Sequence, residues 1–135
     1  MKPRKTKKPR QKMIKKLDAL CIEVIRLRDE FVCQKCHKRV EKTNAHCSHV
    51  IPRSKGNALR WDLLNLKLLC YHDHINWWHK NPVESGEWFK ATFPVRWEYL
   101  QQELAKHHGL RQWRDDELEN LYKELLEKKK ELQDG

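Results

Sequence analysis

The sequence predicts a mainly helical α+β protein in which two short strands and a metal-binding knuckle sit between N- and C-terminal helices. Three observations carry this reading. Apolar residues recur at helical spacing over residues 13–30 and 115–133. Two short segments, 44–51 and 66–70, read as strands. Cys33-Gln34-Lys35-Cys36 forms a CxxC knuckle between the first helix and the first strand.

The elements follow in chain order. Ile14, Leu17, Cys21, Val24, Arg28 and Phe31 trace one mostly apolar stripe, widened by Leu20, Ile25 and Leu27, so residues 13–30 are read as an amphipathic helix with Cys21 in its core face. The first strand stops at Pro52, and residues 52–60 form a polar, basic loop with Gly56 and Asn57. A helix is expected to start near Asp73, a good N-cap residue, and to end at Pro82. Two further helices are expected over 84–92 and 95–108, the second closed by Gly109 with His107 and His108 in its last turn as capping or surface residues. The final helix carries Asp115, Asp116 and Glu117 at its start and Lys128–Lys130 near its end. Its stripe of Leu118, Leu121, Leu125 and Leu132 predicts packing or a homodimer seam.

Charge divides the chain. Of 29 basic residues, nine lie within residues 1–16 (Lys2, Arg4, Lys5, Lys7, Lys8, Arg10, Lys12, Lys15 and Lys16), which hold no acid. The net charge of +10 is therefore concentrated at one end of an otherwise nearly neutral chain. Residues 1–12, with Pro3 and Pro9, are expected as a disordered basic tail. A nucleic-acid arm is the favoured reading of that tail, with Lys5, Lys7 and Lys8 among its contacts. Residues 13–92 are read as the core with its N-terminal helix, and 93–135 as a helical extension. No apolar stretch follows the N-terminal charges, so no secretory signal is expected, and no run approaches the roughly 20 apolar residues of a membrane span. Five cysteines without an export signal favour metal binding over disulfides.

The chemistry concentrates between Cys33 and about Phe89. Cys33 and Cys36 supply half of a four-ligand site, and Cys70 with its neighbours supplies the other half. His49, Asn65 and His74 lie between and beside them in that order. The runs Cys47-Ser48-His49-Val50-Ile51-Pro52-Arg53, Leu59-Arg60-Trp61-Asp62 with Asn65, and Leu69-Cys70 with Asp73-His74 resemble the HNH nuclease superfamily. Within it the chain is most similar to phage proteins of the NinG/Rap recombination type, and Trp88-Phe89 extends the likeness weakly.

The resemblance implies a ββα-metal core that hydrolyses DNA. His49 would be the general base that takes a proton from water, and Asn65 would orient His49 or its loop. His74 would bind a catalytic divalent cation, Mg²⁺, Mn²⁺ or another metal. It also implies 5′-phosphate and 3′-hydroxyl products, and a cytoplasmic setting in a phage-infected or prophage-bearing bacterial cell. Two positions depart from the family. Ser48 stands where a metal-binding residue usually precedes the base, and His46, on the same strand face, is expected to substitute. In the structural zinc site the fourth ligand is Asp73 by slot or His72 by chemistry, with His37 or Cys47 as lesser stand-ins. His79 lies about 140° from His74 on an ideal helix, so it is expected at the surface unless the helix is distorted. Arg53, Lys55 and Arg60 are expected to contact DNA phosphates, and Trp77 and Trp78 to anchor the core. The alternative function is a non-catalytic, zinc-containing DNA-binding accessory protein on a decayed scaffold.

Overall fold

The computed structural model describes residues 8–107 and 110–135. Lys5 and Lys7 of the basic arm, and the His108–Gly109 helix end, lie outside the described residues.

Helix α1 runs Pro9–Arg28 and begins four residues earlier than the apolar stripe predicts. Pro9 suits the first helical position because its missing N–H leaves nothing unsatisfied there. Gln11 Oε1 accepts from the Lys8 N–H, and Arg10 bonds Asp115 and the Trp113 carbonyl, so part of the expected tail is ordered as helix. The helix stops in a Schellman arrangement. Phe31 N–H donates to the Arg26 carbonyl and Glu30 N–H to that of Leu27, with Glu30 at φ 56° in a conformation glycine usually supplies.

Strand β1, His46–His49, pairs antiparallel with β2, Leu66–Leu69, with His46 opposite Leu69 and His49 opposite Leu66. Both strands fall inside their expected segments. A π-helix, His72–Trp78, follows where a regular helix capped by Asp73 was expected. Asp73 does not cap it, because its carboxylate turns toward the thiols described below. Pro82 opens helix α2, Pro82–Thr92, rather than merely ending its predecessor. Helix α3 spans Pro94–Lys106, which leaves His107 just past its end. Helix α4 spans Asp115–Asp134 with three acids in its first turn.

One core joins these elements. Leu17, Leu20, Cys21, Val24 and Ile25 of α1 are buried. Leu118 and Leu125 of α4 are 1% and 3% exposed against it, and Lys129 pairs with Glu23 at 2.6 Å. Of the leucine stripe considered for packing or a homodimer, Leu118 and Leu125 are buried in the chain's own core and Leu121 and Leu132 are partly buried against it. A second cluster of Trp77, Trp78, Trp88, Phe89, Phe93 and Trp97 packs edge-on or tilted with centroids 5.2–6.5 Å apart. The architecture is mainly helical α+β, with the small sheet enclosed by helices. Among the described residues no helix is long and apolar enough to cross a membrane.

Candidate active site and metal centre

Two donor clusters meet on the π-helix. The first gathers Cys33, Cys36, Cys70 and Asp73, whose ligand atoms all lie within 4.8 Å of one another. Local backbone builds it. Cys33 N–H donates to the Lys38 carbonyl and His37 N–H to that of Cys33, closing the knuckle turn, while Gln34 N–H docks on the Leu68 carbonyl of β2. Cys33 Sγ lies 3.3 Å from Asp73 Oδ2 and Cys36 Sγ 3.9 Å from Cys70 Sγ. The edge of a tetrahedral zinc–thiolate site is about 3.8 Å for a 2.3 Å bond, so these separations fit zinc. The chemistry of the donors fits as well. Burial pushes the Cys70 thiol up to about 12, and four anionic donors this close need a cation to hold them as anions. His72 and His37 are exposed and Cys47 is half-buried, and all three lie outside the group, so the structure brings Asp73 rather than any of these to the thiols.

The second cluster is histidine. His79 N–H donates to the His74 carbonyl at 3.2 Å, the bond between residues five apart that defines π-helical winding. His79 stays exposed, as expected, but that winding turns its Nε2 to within 3.0 Å of His74 Nε2. His46 meets the other nitrogen of the same ring, Nδ1 to Nδ1, at 2.9 Å. Its own Nε2 lies 2.8 Å from the Thr43 carbonyl, which can only accept. In the neutral rings, His46 Nε2–H therefore donates to Thr43 and His46 Nδ1 accepts from His74 Nδ1–H. The lone pair of His74 is left on Nε2, beside His79. Ligands at about 2.1 Å from one cation stand about 3.0–3.4 Å apart, so this pair fits a divalent metal. Burial, with the neighbouring His79 and His46, lowers His74 to about 4 and keeps it unprotonated at neutral pH.

His74 and His79 line a cleft of about 600 Å³ together with His49, Arg53, Arg60, Cys47 and Asp18, and His46 is not among its walls. His49 Nε2–H donates to the Arg60 carbonyl at 3.1 Å, so Nδ1 is the acceptor of the neutral ring. Burial lowers its pKa below the ordinary 6.5, and the charges of Arg53 and Lys67 add to that. Asn65 is fully buried, and its side-chain hydrogen bonds go to Ile51 and Leu59 rather than to His49. It clamps the loop instead: its Oδ1 accepts from Ile51 N–H at 2.7 Å and its Nδ2 donates to the carbonyls of Ile51 and Leu59.

Residues 33–77 match the family model of HNH endonucleases. The match supports the HNH superfamily and contains Cys33, His49, Asn65 and His74, while His79 and all of α1 lie beyond it. No curated protein and no solved structure matches the chain.

Ser48 departs from the HNH pattern for a reason the sequence hid. It is buried, and Lys67 Nζ, fully buried opposite it on β2, donates to its Oγ at 3.0 Å. The ammonium lies 3.2 Å from the centroid of Trp78, and burial holds its pKa well below the usual lysine value. A lysine inside an otherwise apolar strand was the one available signal.

The expected phosphate contacts divide. Arg53 and Lys55 are exposed, and Lys8 is exposed at the start of α1. Arg60 is not free, because its guanidinium pairs with Asp18 and lies over Trp61.

Proposed function

We propose that the protein is a metal-dependent DNA endonuclease in which His49 is the general base. The observation that carries this is the meeting in one cleft of a neutral, carbonyl-oriented His49 with the paired nitrogens of His74 and His79. His49 Nδ1 takes a proton from a water beside the scissile phosphate, and the Arg60 carbonyl steadies the imidazolium that results. His74 and His79 would hold the catalytic divalent cation, which supplies charge stabilisation to the phosphorane-like transition state. His46, expected as a ligand, is better supported as the residue that fixes the tautomer of His74 through its second nitrogen. Cys33, Cys36, Cys70 and Asp73 would hold zinc as a structural clamp between the knuckle and the π-helix. Arg53 and Lys55 contact backbone phosphates at the mouth of the cleft, with Lys5, Lys7 and Lys8 adding salt-dependent affinity. A phage-type recombination or DNA-processing role, selective for DNA structure rather than sequence, follows from the resemblance of the 45–74 segment to NinG/Rap nucleases.

One observation favours a second reading. Ser48 is engaged by Lys67 and gives the cleft no ligand at the family's usual position, as in a decayed scaffold that binds DNA without cutting it. The deciding assay offers linear, nicked and four-way-junction DNA to the purified protein with Mg²⁺, Mn²⁺ or EDTA. Metal-dependent cutting supports the nuclease, and its substrate order reads out structure selectivity. Binding without cutting under every condition supports the accessory protein.

A further inference from the structure

The cleft is walled partly by α1, which lies outside the HNH match, and one α1 side chain reaches the base through the loop that holds it. Asp18 Oδ1 accepts from Arg60 Nε at 3.0 Å and from Trp61 Nε1 at 2.7 Å, and Oδ2 accepts from Arg60 Nη2 at 2.6 Å. The Asp18 and Arg60 side chains are only 32% and 19% exposed, so this charge-assisted fork is poorly screened. One turn along α1, Cys21 Sγ lies 4.0 Å from the Trp61 carbonyl. Next to this pair, the Leu59 carbonyl is held by Asn65. The Arg60 carbonyl, the group that accepts from His49 Nε2–H, therefore sits in a three-residue stretch anchored at every position. A free loop carbonyl can swing as its peptide rotates, and this one cannot without breaking the fork.

We infer that Asp18 is the positioning residue of the general base, fixing the Arg60–Trp61 segment so that His49 is held as the Nε2–H tautomer with Nδ1 open to the cleft. The inference rests on reading His49 as the base. It gives α1 a role in chemistry that its core packing does not require. Leu17, Leu20, Cys21, Val24 and Ile25 already join the helix to the fold, and Asp18 adds only contacts to the loop beside His49.

The test compares Asp18→Asn and Asp18→Glu in the full chain, each alone and with His49→Ala, by single-turnover cleavage in Mn²⁺. The tautomer of His49 is read in parallel by ¹⁵N imidazole NMR. Asp18→Asn is expected to lower kcat roughly 10- to 100-fold, as loss of an outer hydrogen-bond partner does, with KM for DNA and Mn²⁺ dependence unchanged. Asp18→Glu keeps the carboxylate and recovers part of that loss. In the His49→Ala background Asp18→Asn costs nothing further, because both act as one unit. The NMR signal of His49 changes from one tautomer to a mixture. Should Asp18→Asn melt below the assay temperature, Arg60→Gln opens the same fork from the loop side and is read identically. An unchanged kcat, an equal loss in the His49→Ala background, or an unchanged His49 tautomer overturns the inference. Wild-type protein that does not cleave overturns the nuclease reading instead, and the NMR comparison then still decides whether Asp18 fixes the ring.

Discussion

The two donor clusters occupy adjacent residues of one π-helix and are built in opposite ways. Asp73 faces three sulfurs that converge from the knuckle and from the residue just after β2, with Cys33, Cys70 and Asp73 all buried. His74, one residue on, is half-buried, sets its Nε2 3.0 Å from that of the exposed His79, and faces a cleft that also holds His49. On the proposed reading, four protein donors would close the first centre, whereas the second would offer two and leave room for water and substrate. Closed sets of thiolates characterise structural zinc, and open sets characterise catalytic metals. The comparison teaches that one short helix can serve both purposes because its winding sends successive side chains to different neighbours.

The largest effect expected from breaking this contrast lies at the closed centre. Cys70→Ser removes a buried thiol from a small knuckle whose stability, on this reading, would depend on metal, and zinc binding in such motifs is worth on the order of 10 kcal/mol. The variant is expected to lose its zinc, measured by metal analysis, and to melt at a clearly lower temperature. Unchanged melting and zinc content would remove the structural role. A smaller and different effect is expected at the open centre. His79→Ala weakens Mn²⁺ dependence of cleavage roughly 10- to 100-fold, with zinc content and melting temperature preserved. His46→Ala, which loses the tautomer-fixing bond and the Thr43 contact but no proposed ligand, shifts that dependence less, and the reverse order would make His46 the ligand.

The smallest effect is in the pH profile. Burial lowers the His49 pKa, so the base stays unprotonated at pH values where an ordinary histidine has gained a proton. The acid limb of the cleavage rate is therefore expected below pH 6.5, with no loss from His49 as pH rises above it. A limb at or above 6.5 would show that the ring is solvated or not the base.

Much of this was legible because ligand residues declare their chemistry. The CxxC, Cys70 and the order of His49, Asn65 and His74 mark the site whatever the backbone does between them. Both strands lay within the segments read as strands, the first of them ended by Pro52. What stayed hidden depended on the third dimension. The approach of His79 to His74 was hidden because 100° per residue was assumed, and the π-helix changes that winding. The choice between Asp73 and His72 needed the thiols in place. Arg60 read as a free cation because its partner Asp18 lies 42 residues away on another helix. The early start of α1 rests on Arg10 meeting Asp115 and Trp113, over a hundred residues away. Lys67 read as one polar residue in a strand, and only the pairing with Ser48 shows why the usual ligand position is silent.

We propose that the open centre does chemistry through His49 while the closed centre holds the fold. The most direct test is single-turnover cleavage of DNA at rising Mn²⁺ by zinc-loaded wild-type protein, beside His49→Ala matched in zinc content and melting temperature. The account predicts Mn²⁺-dependent cutting that falls roughly 10²- to 10⁴-fold in the variant, the usual contribution of a positioned base, with DNA binding retained. Equal cutting by both proteins, or cutting by neither, would contradict it.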